Sequence, residues 1–331
     1  METKRVLLNC QYRVIGFSNP SNCCFLNSAM QIVKAIGGLQ NISSEHRGEN
    51  ILRSLQEVCG NSRLMEPKSA FWRLLELYLG YTPRAIRQNC ACEFLRFFLT
   101  QLDEELEGLY TRVHVDEGDE WVEVGQRNQS QSFNFRAKGK SILYDLIGLG
   151  FKTEARAKGH SSMTYQEELI ISVQAETKLT QALDNYFSYT KIESFIVDGV
   201  PTSCKAKTWI SSFRPYLILH IQRFRVENGN IIKVKKFIEY PKILKIPLRC
   251  LSPSLKLLVE NGNCLAPDYE LKGIIEHHGE SANSGHYTAV INNAGTWLHI
   301  DDQVVRPVSV DFVRNRIAYV LLYQQVNREY L

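Results

Sequence analysis

The stretch CFLNSAMQIVKAIGG, residues 24–38, decides how the first part of the chain is read. Apolar residues fall at Phe25, Leu26, Ala29, Met30, Val33 and Ile36, in steps of three and four, and Gly37-Gly38 ends the run. That spacing predicts an amphipathic helix over Phe25–Ile36, with Cys24 at its N-terminal end. A helix start offers unpaired amides and a partial positive charge, and both favour a thiolate over a thiol. Asn22 or Ser21 is placed to cap that end. Cys23 reads as a structural neighbour. A cysteine alone is more often a small buried apolar residue than a nucleophile, so Cys24 needs chemical partners elsewhere.

Outward from this helix, Ile51–Cys59, Ala70–Leu79 and Ala91–Leu106 carry similar apolar stripes, read as core faces. From Tyr110 to Lys140 the pattern fades into an acidic cluster, Asp116–Glu120, and a polar run, Gln126–Gln131. This predicts a surface insertion or linker. Thr177–Phe187 reads as a short helix. Tyr216–Phe224, Leu271–His277, His286–Ile291, Thr296–Asp301 and Ala318–Gln324 read as strands bounded by Gly, Asn and Pro. Helices first and strands later define an α+β fold class.

The 331 residues are 44% hydrophobic and 22% charged, enough for a large core. The formal net charge of +4, without a long basic run, does not point to nucleic acid. The longest apolar runs are strand-sized and too short to span a bilayer. Met1–Val14 has no apolar signal-peptide core. Nine cysteines without regular spacing do not form a disulfide framework, so a reducing compartment, cytosol or nucleus, is expected. Oligomeric state has no sequence signature.

His286–Ile291 and Thr296–Asp301 read as a β-hairpin around a four-residue loop, Asn292–Gly295. Pairing Ile291 with Thr296 puts His286 directly opposite Asp301, with Cβ atoms about 5 Å apart. A carboxylate there fixes the imidazole tautomer and stabilises the imidazolium. Asp302 points to the other face, and a one-residue slip exchanges the two aspartates. A surface hairpin with an ordinary His–Asp pair fits the same pattern until Cys24 is considered. Acyl transfer also needs oxyanion donors. The Cys24 amide and the Asn19 side chain are candidates, although Asn19 also suits a turn before Pro20.

Gly16 to Gln31, GFSNPSNCCFLNSAMQ, resembles the cysteine box of the ubiquitin-specific protease family, G-L-x-N-x-G-N-T-C-[FY]-[LM]-N-[SA]-x-[LM]-Q. Tyr269 to His277, Gly285-His286-Tyr287, and Trp297 through Asp301-Asp302 to Val304 resemble its histidine box. Arg214–Phe224 and Phe237–Pro247 resemble the connecting strands, and Gln88–Leu95 resembles the family's Q-Q-D-A-x-E-F-L. The likeness covers residues 14–325. It implies a papain-like cysteine peptidase with a helical thumb (about 14–110), the polar insertion (about 110–140), and fingers and a strand-rich palm (about 141–325). It implies Cys24 as nucleophile, His286 as base and then acid, Asp301 as its orienter, Asn19 as oxyanion donor and Asp302 as a helper, either near the oxyanion or behind the residues that touch the substrate. It also implies a ubiquitin-tail channel bordered by Gln88, Cys90, His277, Gly285 and Tyr287, with loops near Val226–Val234 and Glu280–Ser284 whose Gly, Asn and Ser content permits movement.

The sequence departs from the family pattern at Ser21 and Cys23, where the box carries Gly and Thr, and at Cys90, where it carries Asp. Ser21 resists a positive φ if the loop requires one. Cys90 removes a negative charge beside a basic tail. Cys204 stands alone where the family's fingers often hold two Cys-x-x-Cys pairs, so no structural zinc and no cofactor is expected. The leading expectation is a deubiquitinase whose partner is ubiquitin. The alternatives are a catalytically weak ubiquitin-binding scaffold, a peptidase for another ubiquitin-like modifier, and a peptidase for ordinary peptides.

Overall fold

The run predicted as the first helix is one. In the computed structural model α1 spans Cys24–Ala35. The structure describes residues 14–19, 22–39, 42, 51–59, 70–80, 86, 88–110, 129–134, 142–158, 160–197, 200–281 and 284–326. Three more helices follow α1: α2 (Ile51–Cys59), α3 (Ala70–Leu79) and α4 (Ala91–Tyr110). Next come β1 (Gln129–Asn134), α5 (Ile142–Leu146), β2 (Leu149–Ala157), β3 (His160–Glu168), β4 (Ile171–Gln174), α6 (Leu179–Tyr186), β5 (Thr190–Val197) and β6 (Val200–Ser212). Then come β7 (Tyr216–Gln222), β8 (Phe224–Glu227), β9 (Asn230–Lys233), β10 (Ile243–Lys245), α7 (Pro253–Glu260) and β11 (Asp268–Ser281). The last elements are β12 (Ser284–Asn293), β13 (Thr296–Asp301), β14 (Val304–Val308), α8 (Val310–Arg314) and β15 (Ala318–Val326).

One sheet runs β14-β13-β12-β11-β15-β7-β4, with β10 on β11, and both of its faces are covered. Strand alternation divides the side chains between two cores. Ile218, Ile275, Ala289, Val320 and Leu322 face α1 and α4, packing on Phe25, Leu26, Ile32, Leu95 and Phe98. Leu217, Leu219, Ile274, Val290, Leu321 and Tyr323 face the other way, onto Leu179, Leu183, Leu255 and Val313. Two-sided burial explains why Ala318–Tyr323 is apolar throughout, without the alternation of a half-exposed strand. A second sheet, β1-β3-β2-β6-β5, extends from this body.

Three expectations are corrected. Residues 129–134, placed in the polar insertion, form β1, which pairs in parallel with β3; Asp116–Glu120 lies outside the described residues. Val226–Val234 is not a loop throughout, since β8 and β9 pair as a hairpin. Its turn, Asn228-Gly229, has φ of 50° and 77°, the two positive angles that a tight hairpin requires. The β12–β13 hairpin has a two-residue loop, because Asn293 pairs with Thr296. Ala294 and Gly295 turn the chain at φ 50° and 90°, and Asn292 Oδ1 accepts from the Gly295 N–H at 2.9 Å. The register therefore lies two residues from the one expected, and His286 meets Asp301 diagonally instead of directly. A two-residue shift keeps both side chains on one face, so the pairing survives.

Candidate active site

Cys24 opens α1 and is 3% exposed. The N-cap is Cys23, with no side-chain cap, so Asn22 does not take the expected role; Ser21, the other candidate, lies outside the described residues. Instead Asn19 Oδ1 accepts from the Cys23 N–H at 2.7 Å, and Asn22 Nδ2 donates to the Ile86 carbonyl at 3.1 Å. The positive φ near the nucleophile falls on Asn22, at 53°, a residue type that tolerates the left-handed region.

His286 lies near the start of β12, and its Nε2 is 2.6 Å from Asp301 Oδ1 on β13. The imidazole also hydrogen-bonds the Cys24 thiol, which leaves Nδ1 as the nitrogen facing sulfur. The Cys24 hydrogen bond is the largest influence pushing His286 up to about 9; burial opposes it, and the Asp301 hydrogen bond adds to it. The imidazolium is thus the favoured form below about pH 9 and is lost as pH rises through that value. Leaving-group protonation needs it, so kcat is expected to fall on the alkaline side near pH 9. Asp301→Asn removes one of the raising influences and should move that limb to lower pH. It should stop short of about 6.5, the unperturbed value, because the larger Cys24 contribution remains. A kcat profile between pH 6 and 10 checks this, and a limb that stays put removes Asp301 from the pair.

Asp302 has φ 48°, and its side chain turns back to the N-terminal segment. Oδ2 accepts from Asn19 Nδ2 and Oδ1 from Asn27 Nδ2, both at 2.8 Å. A cavity of about 500 Å³ lined by Ser18, Asn19, Asp301, Asp302, Gln303 and Val304 opens beside this turn. Among the described residues, His286, Asp301 and Asp302 bring ligand-type atoms within 4.8 Å of one another. The contacts just given already engage His286 Nε2 and both Asp302 oxygens, so the grouping reads as a hydrogen-bond network rather than a metal cage.

The channel candidates gather on the other side of His286. Lys233 donates to His277 Nδ1 at 2.9 Å and to the carbonyls of His277 and Gly279 at 2.7 Å, tying the β8–β9 hairpin to β11. The Gln88 side-chain amide meets His277 Nε2 at 3.3 Å. Burial, then Lys233 and the neighbouring histidines, push His277 down to about 4, so its ring is neutral. Gly285 packs against the His278 carbonyl and the His277 ring so closely that a Cβ would collide with both. Tyr287 is 1% exposed and packs between His277 and Tyr319 with its ring tilted to both, so it lies buried behind the other channel candidates. Cys90 precedes α4, where its Sγ accepts from the Glu93 N–H at 3.4 Å and meets Tyr319 Oη at 2.9 Å. It fills the cap position that an aspartate favours, but burial pushes its thiol up and keeps it neutral.

Asn27 is the site residue that sequence reading passed over. A polar stripe, Asn27, Gln31 and Lys34, recurs at helical spacing on a helix that is apolar apart from these and Ser28, and the family box itself carries Asn and Gln at the first two positions; those were the available signals. All three are buried.

A cysteine at a helix start, hydrogen-bonded to a histidine that a carboxylate orients, on a helix packed against an antiparallel sheet, is the constellation of a papain-like cysteine peptidase fold. The sequence model of the family described as ubiquitin carboxyl-terminal hydrolase matches residues 15–323, and the chain belongs to that family. Similar relatives include ubiquitin carboxyl-terminal hydrolase 10-A of Xenopus laevis, 27% identical over 387 residues, with 94% of this chain and 48% of the relative covered. Ubiquitin carboxyl-terminal hydrolase 10 of Mus musculus is 29% identical over 384 residues, covering 94% and 48%. Ubiquitin carboxyl-terminal hydrolase 24 of Arabidopsis thaliana is 26% identical over 363 residues, covering 94% and 64%. The chain thus spans about half the length of the hydrolase 10 relatives. Among solved structures, a yeast SAGA DUB module superposes with a TM-score of 0.70 at 20% identity, covering 99% of this chain and 72% of that one. A SAGA DUB module with Ubp8 bound to monoubiquitin gives 0.69 at 19% identity, covering 96% and 70%. These likenesses carry the fold. No helix among the described residues is long and apolar enough to cross a membrane.

Proposed function

We propose that this chain is a thiol-dependent deubiquitinase that hydrolyses the peptide or isopeptide bond after the C-terminal glycine of ubiquitin, with residues 14–325 acting as one catalytic unit. The observation that carries this is His286 bridging Cys24 and Asp301. In the proposed reaction Cys24 Sγ attacks the glycine carbonyl carbon. The carbonyl oxygen takes the negative charge and is met by the Cys24 N–H and the Asn19 amide. His286 gives its proton to the departing amine, leaving a thioester. It then takes a proton from water as the hydroxide adds to the thioester. The carboxylate forms and Cys24 leaves as thiolate. Asp301 holds the ring throughout. The tail lies along Gln88, Cys90, His277 and Gly285. A reducing compartment, cytosol or nucleus, suits the seven free cysteines among the described residues.

The test is ubiquitin carrying a C-terminal propargylamide, run beside equally tagged ubiquitin-like proteins. A covalent adduct with tagged ubiquitin is expected. A folded sample that forms no adduct with any of them sinks the enzyme reading and leaves a binding scaffold.

One observation favours a second reading, a peptidase for another ubiquitin-like modifier: the neutral Cys90 at the channel rim. An adduct with a ubiquitin-like protein alone would establish it. Under the first reading, Cys90→Asp should lower KM for ubiquitin substrates by about fivefold or less, the scale of one partly exposed ion pair, with kcat little changed. Aspartate keeps the cap and can still accept from Tyr319 Oη. A KM that rises instead means that the thiol is fitted to a different tail.

A further inference from the structure

We propose that Asn27 is a positioning residue that fixes the Asp302 carboxylate and, through it, aims the Asn19 amide at the oxyanion; this rests on the hydrolase reading above. Asn27 lies one turn beyond Cys24 on α1, and its Nδ2 is 2.8 Å from Asp302 Oδ1. The other carboxylate oxygen holds Asn19 Nδ2 at 2.8 Å, and Asn19 Oδ1 holds the Cys23 N–H at 2.7 Å. Cys23 and Asn27 sit at the same helix end, so these three bonds close a loop through Asn19 and Asp302 back onto the nucleophile's own helix. The backbone reinforces it. The Phe17 N–H donates to the Asp302 carbonyl at 2.9 Å, and Gly16 touches that carbonyl so closely that no side chain fits there.

The loop has a chemical consequence. An amide nitrogen has two hydrogens. With Asn19 Oδ1 held by Cys23 and one Nδ2 hydrogen held by Asp302, the plane of the amide is set. The second hydrogen is the one left to donate to a developing oxyanion. A carboxylate gripped from one side only would swing about its bond, and the Asn19 amide would swing with it. Asn27 supplies the second grip. Its second Nδ2 hydrogen is shared between the carbonyls of Ser18 at 3.2 Å and Phe17 at 3.5 Å, so one side chain fixes both the segment that carries Asn19 and the carboxylate that aims it. Gln31, one turn on, holds the Ile15 carbonyl at 2.8 Å, and Lys34 lies over the Phe17 ring. The buried polar stripe of α1 thus grips the 15–18 segment along its length.

The experiment separates aiming from general support. Asn27→Ser, Asp302→Asn and the double variant are compared with the unaltered protein in two assays. One is turnover of ubiquitin bearing a C-terminal aminomethylcoumarin amide, which passes through an oxyanion. The other is alkylation of Cys24 by iodoacetamide, which needs the thiolate but forms no oxyanion. Loss of a whole oxyanion donor costs about 10²–10³ in kcat, so misaiming one should cost about 10-fold to 10²-fold. Each single variant should show that loss with KM within about twofold, an unchanged alkylation rate and pH profile, and no further loss in the double variant. A variant kcat equal to that of the unaltered protein, alkylation that falls in parallel with kcat, or additive losses would each overturn the proposal. If Asn27→Ser fails to fold, Asn27→Thr, which likewise lacks the amide donor, takes its place in the comparison. An unaltered protein that alkylates but never turns over the ubiquitin amide fails the hydrolase reading itself, whereas turnover that the variants match fails only this inference.

Discussion

Cys24→Ala is expected to abolish the adduct with propargylamide-tagged ubiquitin and to lower turnover by about 10⁴- to 10⁶-fold, and His286→Gln is expected to lower turnover to a similar residue of activity. The losses should not add, because sulfur and imidazole act as one unit: without the base the thiol is not primed, and without the thiol the base has nothing to prime. The neighbouring cysteines make the result specific. Cys23 is fully buried, and its thiol is pushed up to about 12 by burial, then by Cys24 and Asp302. Burial likewise takes Cys92 to about 12 and raises Cys90. A thiol so placed carries almost no thiolate at neutral pH. Iodoacetamide should therefore modify Cys24 ahead of Cys23, Cys90 and Cys92, and Cys23→Ala should keep most of the activity. Peptide mapping after brief alkylation checks the first, and an adduct lost in Cys23→Ala but kept in Cys24→Ala would transfer the chemistry to the wrong neighbour and end the assignment.

The parts that sequence made legible are those whose burial is one-sided or complete. α1 shows its apolar stripe because it lies against a sheet, and β7 and β15 show continuous apolar runs because the sheet is covered on both faces. The second sheet was hidden for the converse reason. Every residue of β3 is only half-buried, so neither alternation nor an apolar run marks it, and HSSMTYQEE reads as loop as readily as strand. The His286–Asp301 pair came through a wrong register because the error was even, and an odd one would have paired His286 with Asp302. Asn228-Gly229 was a readable hairpin turn, and placing a loop near Val226–Val234 by resemblance passed over it. The Asn19–Asp302–Asn27 loop was not readable from spacing, since it joins residues 275 and 283 positions apart that meet only when helix and sheet pack.

Arg223→Ala is expected to destabilise the fold by about 3–5 kcal/mol, the range for stripping one partner from a buried charged network. Arg223 is 1% exposed and lies between β7 and β8. Its Nε donates to the Ala318 carbonyl at 2.7 Å, and its Nη1 donates to the carbonyls of Lys236 at 2.8 Å and Val234 at 3.1 Å. The guanidinium thus ties the start of β15 to the segment leaving β9. Burial pulls it down to about 10, countered by Tyr240 and then Glu276, so it stays charged at neutral pH. Alanine would leave three carbonyls without their donor and a cavity where the guanidinium lay. Arg223→Lys keeps the charge but not the planar fork, and should recover less than half of the loss. Urea unfolding of the two variants measures both, and an alanine variant within about 1 kcal/mol of the unaltered protein contradicts the account. The same tie reaches the proposed tail channel. Val234 and Lys236 lie one and three residues beyond Lys233, whose ammonium holds the His277 and Gly279 carbonyls. At temperatures where Arg223→Lys is still folded, the hairpin should sit less firmly against β11, and KM for ubiquitin substrates should rise more than kcat falls. If kcat falls while KM holds, the tie acts on the chemistry of His286 through β11 and not on the channel.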